Sequence, residues 1–142
     1  MMRKLDQRGV AAFEFCVVAV AFFTLVFTIF DLGRYAITMQ SLRALANAGA
    51  RATTVGGSGS ACYTDAMIKK TAPTCSGDPL PSDTAKKNVA PFLYSGGLTP
   101  TLNAITGGNA VTVTASEPGF KMLMPIWGAS LDAPSASITV PF

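Results

Sequence analysis

The chain of 142 residues contains no histidine. That removes the commonest metal ligand and the commonest general base. There is no Gly-x-Ser-x-Gly elbow and no cysteine cluster with metal-ligand spacing. The Gly/Ser run from Gly56 to Ser60 reads as a flexible connector, and it is not a phosphate loop, because no Gly-Lys-Ser/Thr follows it. The carboxylate pair Asp78 and Asp83 flanks loop prolines and reads as solvated. With no nucleophile beside a base, the sequence points away from an enzyme, and no cofactor, metal or small-molecule substrate is expected. Charge is scarce too, with 11 basic and 8 acidic residues for a net charge of +3. Residues 1–9 hold Arg3, Lys4, Arg8 and Asp6, and the remainder carries 8 basic and 7 acidic groups. The basic surplus therefore belongs to the N-terminal flank and makes no nucleic-acid footprint. No internal repeat is visible.

What the chain has in its place is a run of 21 residues, Val10 to Phe30, that is almost wholly apolar. As a helix it would rise about 32 Å, close to the roughly 30 Å hydrocarbon core of a bilayer. Its only polar side chains are Glu14, Thr24 and Thr28, and the two hydroxyls can bond back to the preceding turn. A buried core helix does not fit, because the rest of the chain is too small to surround a helix that is apolar on every side. A cleaved secretory signal fits poorly as well. Its apolar region should span about 7–15 residues and lead at once to a small-x-small site, whereas here Asp31, Leu32, Gly33 and Arg34 follow. The run reads as a membrane span with the N-terminus cytoplasmic, since Arg3, Lys4 and Arg8 precede it and a long C-terminal segment is exported largely regardless of charge. Glu14 is the costly residue. An acid near the bilayer centre costs about 2.5–3.5 kcal/mol on insertion scales and less near an end.

The segment Gln7-Arg8-Gly9-Val10-Ala11-Ala12-Phe13-Glu14-Phe15, leading into the apolar run, resembles a class III (type IV-like) prepilin signal. That resemblance implies a prepilin peptidase that cuts after Gly9, with Val10 as the new N-terminus and Glu14 as the fifth mature residue. Together with Asp31-Leu32-Gly33-Arg34-Tyr35 beyond the apolar run, it resembles the TadE-like family, minor pseudopilins of the tight-adherence (Tad, or Flp) pilus. The likeness covers about residues 7–40. The major Flp pilin is a very short chain with Glu-Tyr at this site. Here Phe15 stands in place of the tyrosine and more than a hundred residues follow the apolar run, so the resemblance implies a minor pseudopilin. The implied setting is the bacterial inner membrane, with pilin and other minor pseudopilins as partners. Residue chemistry agrees, since glycine offers a protease no side-chain hindrance. Cleavage would create an amine on Val10, and a Glu14 carboxylate one helical turn along could pair with that amine on a neighbouring subunit. The plainer reading of Glu14 is an acid snorkelling to the headgroups from a shallow position.

Beyond Phe30, Leu32, Tyr35, Ala36, Met39, Leu42, Ala46 and Gly49 recur at helical steps to about Thr54, with Arg43 inside the stripe and Gly56-Gly57 as a stop. Residues 63–81 hold Pro73, Pro79 and Pro81 and read as irregular loop around a Cys62–Cys75 disulfide. Such a bond would contribute roughly 3 kcal/mol by closing its loop; the alternative is two free thiols in a reducing compartment. Cys16, within the apolar run, behaves as a small hydrophobe. Ser82 can cap a helix over 83–90 ended by Pro91. Thr99 to Asn109 reads as turn, while 110–114 and 135–140 read as strands. The fold class is α+β: a long N-terminal helix, then a small domain with a two- or three-stranded antiparallel sheet. The division is 1–9 leader, 10–30 transmembrane helix, 31–55 helix extension and 56–142 exported domain. Two further readings stay open: an unprocessed single-pass membrane protein with a periplasmic scaffold or binding domain, and a type II secretion pseudopilin.

Overall fold

The computed structural model describes residues 7–55 and 62–141. The Gly56–Ser60 connector and the Gly56-Gly57 helix stop lie outside the described residues, as do Arg3 and Lys4. Helix α1 runs from Gln7–Val55 without a break. Among the described residues it is the one helix long and apolar enough to cross a membrane, and no residue of its most apolar stretch is buried within the protein. Thr24 and Thr28 donate to the carbonyls of Val20 and Thr24, each at 2.7 Å, which satisfies both hydroxyls inside the helix.

The second half of α1 carries the C-terminal domain. Strands β1 (Ser76–Gly77), β2 (Thr101–Gly107), β3 (Ala110–Ser116) and β4 (Ser135–Pro141) form one antiparallel sheet in sequential order. Every neighbouring pair is antiparallel, from Ser76↔Ile105 at one edge to Val113↔Ile138 at the other. Leu102, Ala104, Val111, Val113 and Ala115 alternate onto one face, as a period of two requires. Leu42, Leu45, Ala46 and Ala50 of α1 meet them in the core. Each large aliphatic side chain buried there contributes roughly 1.5–3 kcal/mol of transfer free energy. The buried stripe is rotated from the one read in the sequence: Leu32 and Ala36 are exposed, whereas Asp31, Thr38, Leu45 and Thr53 are buried. Arg43 consequently faces solvent and does not interrupt the packing.

Gly49 sets how closely α1 approaches the sheet. A Cβ there would lie 3.0 Å from both Leu102 Cδ2 and Val113 Cγ1, and 3.1 Å from Pro79 Cγ. Three side chains at that distance are tighter than ordinary packing, so an added methyl there requires each of them to give by a few tenths of an ångström.

Three local expectations need correction. The sheet has four strands, because Thr101–Gly107, within the segment read as turn, is strand β2, which joins β3 through a two-residue turn at Gly108 and Asn109. Gly108 has φ 58°, the left-handed backbone such hairpin turns need. The segment 63–81 is not all irregular: helix α2 spans Cys62–Lys69, buries Ala66 and is tied to α1 where the Thr64 hydroxyl donates to the Thr54 carbonyl at 3.0 Å. The two-residue β1 also falls there. Helix α3 spans Asp83–Val89 with Ser82 as N-cap, and Pro91 opens a 3-10 segment to Gly97. The Ser82 side chain makes no capping bond. Buried Lys86 secures α3 by pairing with Asp78, whose other oxygen accepts from the Leu80 N–H at 2.9 Å.

Glu117, just after β3, is wholly buried, and among the described residues neither carboxylate oxygen has a hydrogen-bond partner. Burial raises its pKa above the ordinary value, and the nearby backbone amides of Gly119 and Thr99 offset only part of that. A carboxyl raised on folding favours the folded state below its unfolded pKa and loses that benefit as pH rises through the folded value. Glu117→Gln is therefore expected to raise the melting temperature by a few degrees at pH 7 and to change it little at pH 4. Equal shifts at the two pH values would show that charge is not the cost.

Candidate functional site

Two places on α1 combine chemistry with position. The first is its N-terminal end. Gly9 and Val10 are exposed and helical, and a Cβ at Gly9 would meet nothing within 4 Å, so packing within the chain does not require glycine there. Glu14 is exposed one turn further on, and among the described residues it has no hydrogen-bond or ion-pair partner. Exposed Phe13, Phe15, Val17 and Val18 surround it in sequence, and Cys16 is a free, exposed thiol. A carboxylate set in such a surface can accept a cation from outside the chain, and nothing inside the described structure competes for it.

Gly9, Val10 and Glu14 thus share one end of one helix. Cys62 and Cys75 lie elsewhere, bonded to each other with their Cα atoms 5.4 Å apart. The disulfide ties α2 to the start of β1, beside Thr53 and Ala104. It is a staple of the domain and has no part in the helix end.

The second place is where α1 leaves its apolar run. Asp31 is buried, and its carboxylate accepts the Leu123 N–H at 3.1 and 3.0 Å and the Met124 N–H at 3.0 Å. Arg34, one turn along, contributes its Nη1 at 3.4 Å. Its guanidinium lies 5.4 Å from the centre of the Phe120 ring, and the Tyr35 ring is 6.3 Å from the same ring. Phe120 is buried. Asp31, Arg34 and Tyr35 therefore clasp the long β3–β4 loop, residues 117–134, onto the helix. The loop is also tied within itself. Glu117 N–H donates to the Pro134 carbonyl, Ala133 N–H to the Phe120 carbonyl, and Met122 N–H to Asp132 Oδ1, all at 3.0 Å.

In the sequence Asp31, Arg34 and Tyr35 stand as a family signature and as a polar break after the apolar run, with Tyr35 also in the helical stripe; none of them points to a loop partner. An acid at the first position past an apolar run, with arginine three residues on, was the available signal. What it could not disclose was the loop, which arrives 92 positions later.

Compared with known proteins, the chain matches no curated protein and no solved structure. Residues 9–51 match the family model of the TadE-like proteins, a structural family associated with the Tad pilus, and the matched stretch runs from the candidate junction glycine through Glu14 and the Asp31 clasp to the helix face that carries the sheet.

Proposed function

We propose that this chain is a minor pseudopilin-like structural component of a Tad (type IVc) pilus. It is anchored in the bacterial inner membrane by Val10 to Phe30, with its N-terminus cytoplasmic and its disulfide-bonded domain periplasmic. A prepilin peptidase cuts it between Gly9 and Val10. The observation that carries this reading is Glu14, an exposed carboxylate without a partner among the described residues, one turn from the junction on an otherwise apolar helix. A charge in that setting is retained against an insertion cost, and an amine on a neighbouring subunit offsets it. The match over residues 9–51 supports the same assignment. Its partners are the membrane, the peptidase, and the pilin and other minor pseudopilins. The reading assigns no catalysis to the chain and no nucleic-acid binding.

Intact mass of the membrane-extracted protein tests it. In cells with an active prepilin peptidase, the mass should correspond to a chain beginning at Val10, and without the peptidase to one that keeps Gly9 and its leader. Gly9→Leu should leave the precursor uncut in both. An unprocessed chain in peptidase-positive cells overturns the pseudopilin reading and leaves a single-pass membrane protein with a periplasmic domain.

A further inference from the structure

The loop clasped by Asp31 exposes what a water-facing loop ordinarily hides. Leu123 is 74% exposed and Ile126 58% exposed, in the run Lys121-Met122-Leu123-Met124-Pro125-Ile126-Trp127. Leu123 lies beside the end of the apolar helix, bonded to Asp31, next to Phe30, which is 68% exposed. The loop does not stop at the helix exit. Leu123 is held at the level of Asp31, but Met124 shares a shallow groove with Phe27, Thr24 and Phe23. Those residues lie one to two turns toward the membrane, about 6–12 Å below Asp31 along the helix.

The backbone over residues 122–125 is prepared for a place without water. The N–H of Met122 is taken by Asp132, and those of Leu123 and Met124 by Asp31. Position 125 is proline and has no N–H. Four successive positions therefore present no unpaired backbone donor. In water, solvent would satisfy the same groups in an open loop, so the bonds contribute only their net charge-assisted strength. In the acyl region an unpaired donor costs several kcal/mol, on the order of a lost hydrogen bond without compensation.

We propose that residues 121–127 form a membrane-interface anchor that seats Leu123, Met124 and Ile126 among the phospholipids of the outer leaflet beside α1. Exposed Lys121 stands at its edge, placed for headgroup phosphates. The apolar surface is continuous with that of the proposed membrane span, and this continuity identifies lipid as the occupant. The inference rests on the membrane-anchored reading above. Its consequence is mechanical. A second point of attachment fixes the tilt and rotation of the exported domain on the membrane, so Glu14 and the domain are presented to neighbouring subunits in one orientation.

Trp127 is the only tryptophan in the chain and ends the run 121–127, which makes it a native probe. The full-length protein is reconstituted at low protein-to-lipid ratio into phosphatidylcholine–phosphatidylglycerol vesicles whose lipids carry bromine near the headgroup end of the acyl chain. Trp127 emission should fall about twofold relative to unbrominated vesicles, with less quenching when the bromine sits deep. Leu123→Asp with Ile126→Asp should restore most of the emission while the protein stays resistant to carbonate extraction. Slow hydrogen exchange at the Val111 and Val113 amides reports that the variant is folded. Emission of the unaltered chain that is indifferent to bromine, in protein that resists extraction, overturns the interface anchor and leaves the loop facing water or a neighbouring subunit. Extraction of the unaltered chain by carbonate would overturn the membrane reading itself, so the two failures are distinct.

Discussion

Asp31→Ala is expected to detach the β3–β4 loop from α1 and to destabilise the domain by about 3 kcal/mol, the loss of the charge-assisted hydrogen bonds that two backbone N–H groups make to a carboxylate. The N–H groups of Leu123 and Met124 have the Asp31 carboxylate as their acceptor. Arg34 adds little to the loss, because its side chain is 42% exposed and can return to water. Asp31→Asn keeps one oxygen in place and should fall between wild type and alanine. Urea unfolding of the detergent-solubilised full chain, followed by Trp127 emission, measures the order of the three. Hydrogen exchange at the Leu123 and Met124 amides should quicken in the alanine variant before any change is seen at Val111 or Val113. Alanine and wild-type proteins of equal stability would show that the loop is held by Phe120 alone, between Arg34 and Tyr35.

What could be read in the sequence was what depends on neighbours along the chain. The apolar run, the continuation of the helix past it, the Ser82 boundary of α3 and the alternation of β3 and β4 each rest on a local periodicity, and all of them are present. Strand β2 was lost because only Leu102 and Ala104 mark its core face, while Asn103, Gly107 and Gly108 carry turn signals that outweigh them. Its strand state is decided by pairing with β3 across seven registered positions. Helix α2 was lost because eight residues between a Gly/Ser run and three prolines have little intrinsic helicity. The disulfide and the contact with Thr54 hold it. The clasp is the extreme case. Asp31 and Arg34 look like an ordinary surface pair until the fold brings Leu123 and Phe120 to them. The helix end differs in kind. Gly9 and Glu14 satisfy no internal need, as the open space at one and the absence of a described partner at the other indicate, and so their meaning was legible only through the resemblance.

Glu14→Gln should leave insertion and cleavage intact and abolish pilus assembly. The substitution keeps size and shape and removes the charge. Insertion should become slightly easier, since a neutral amide is less costly in hydrocarbon than a carboxylate. Cleavage should continue, because the cut proposed here falls between Gly9 and Val10, and Glu14 lies a helical turn beyond it. Assembly is different. The new amine of Val10 would enter an apolar interface on a neighbouring subunit as a lone charge, and removing one partner of a buried ion pair costs about 3–5 kcal/mol. A loss of that size is at least a hundredfold in the equilibrium of each contact, enough to stop a structure built from repeated contacts. Three measurements on one strain decide it: intact mass for processing, cross-linking from Cys16 to a neighbouring subunit, and surface pili by microscopy. Cys16 suits the second, being the free, exposed thiol two residues from Glu14. The expected pattern is mature mass, no cross-link and no pili. Mature mass with normal pili would mean that the carboxylate only snorkels to the headgroups and that register in the assembly is set elsewhere on the helix.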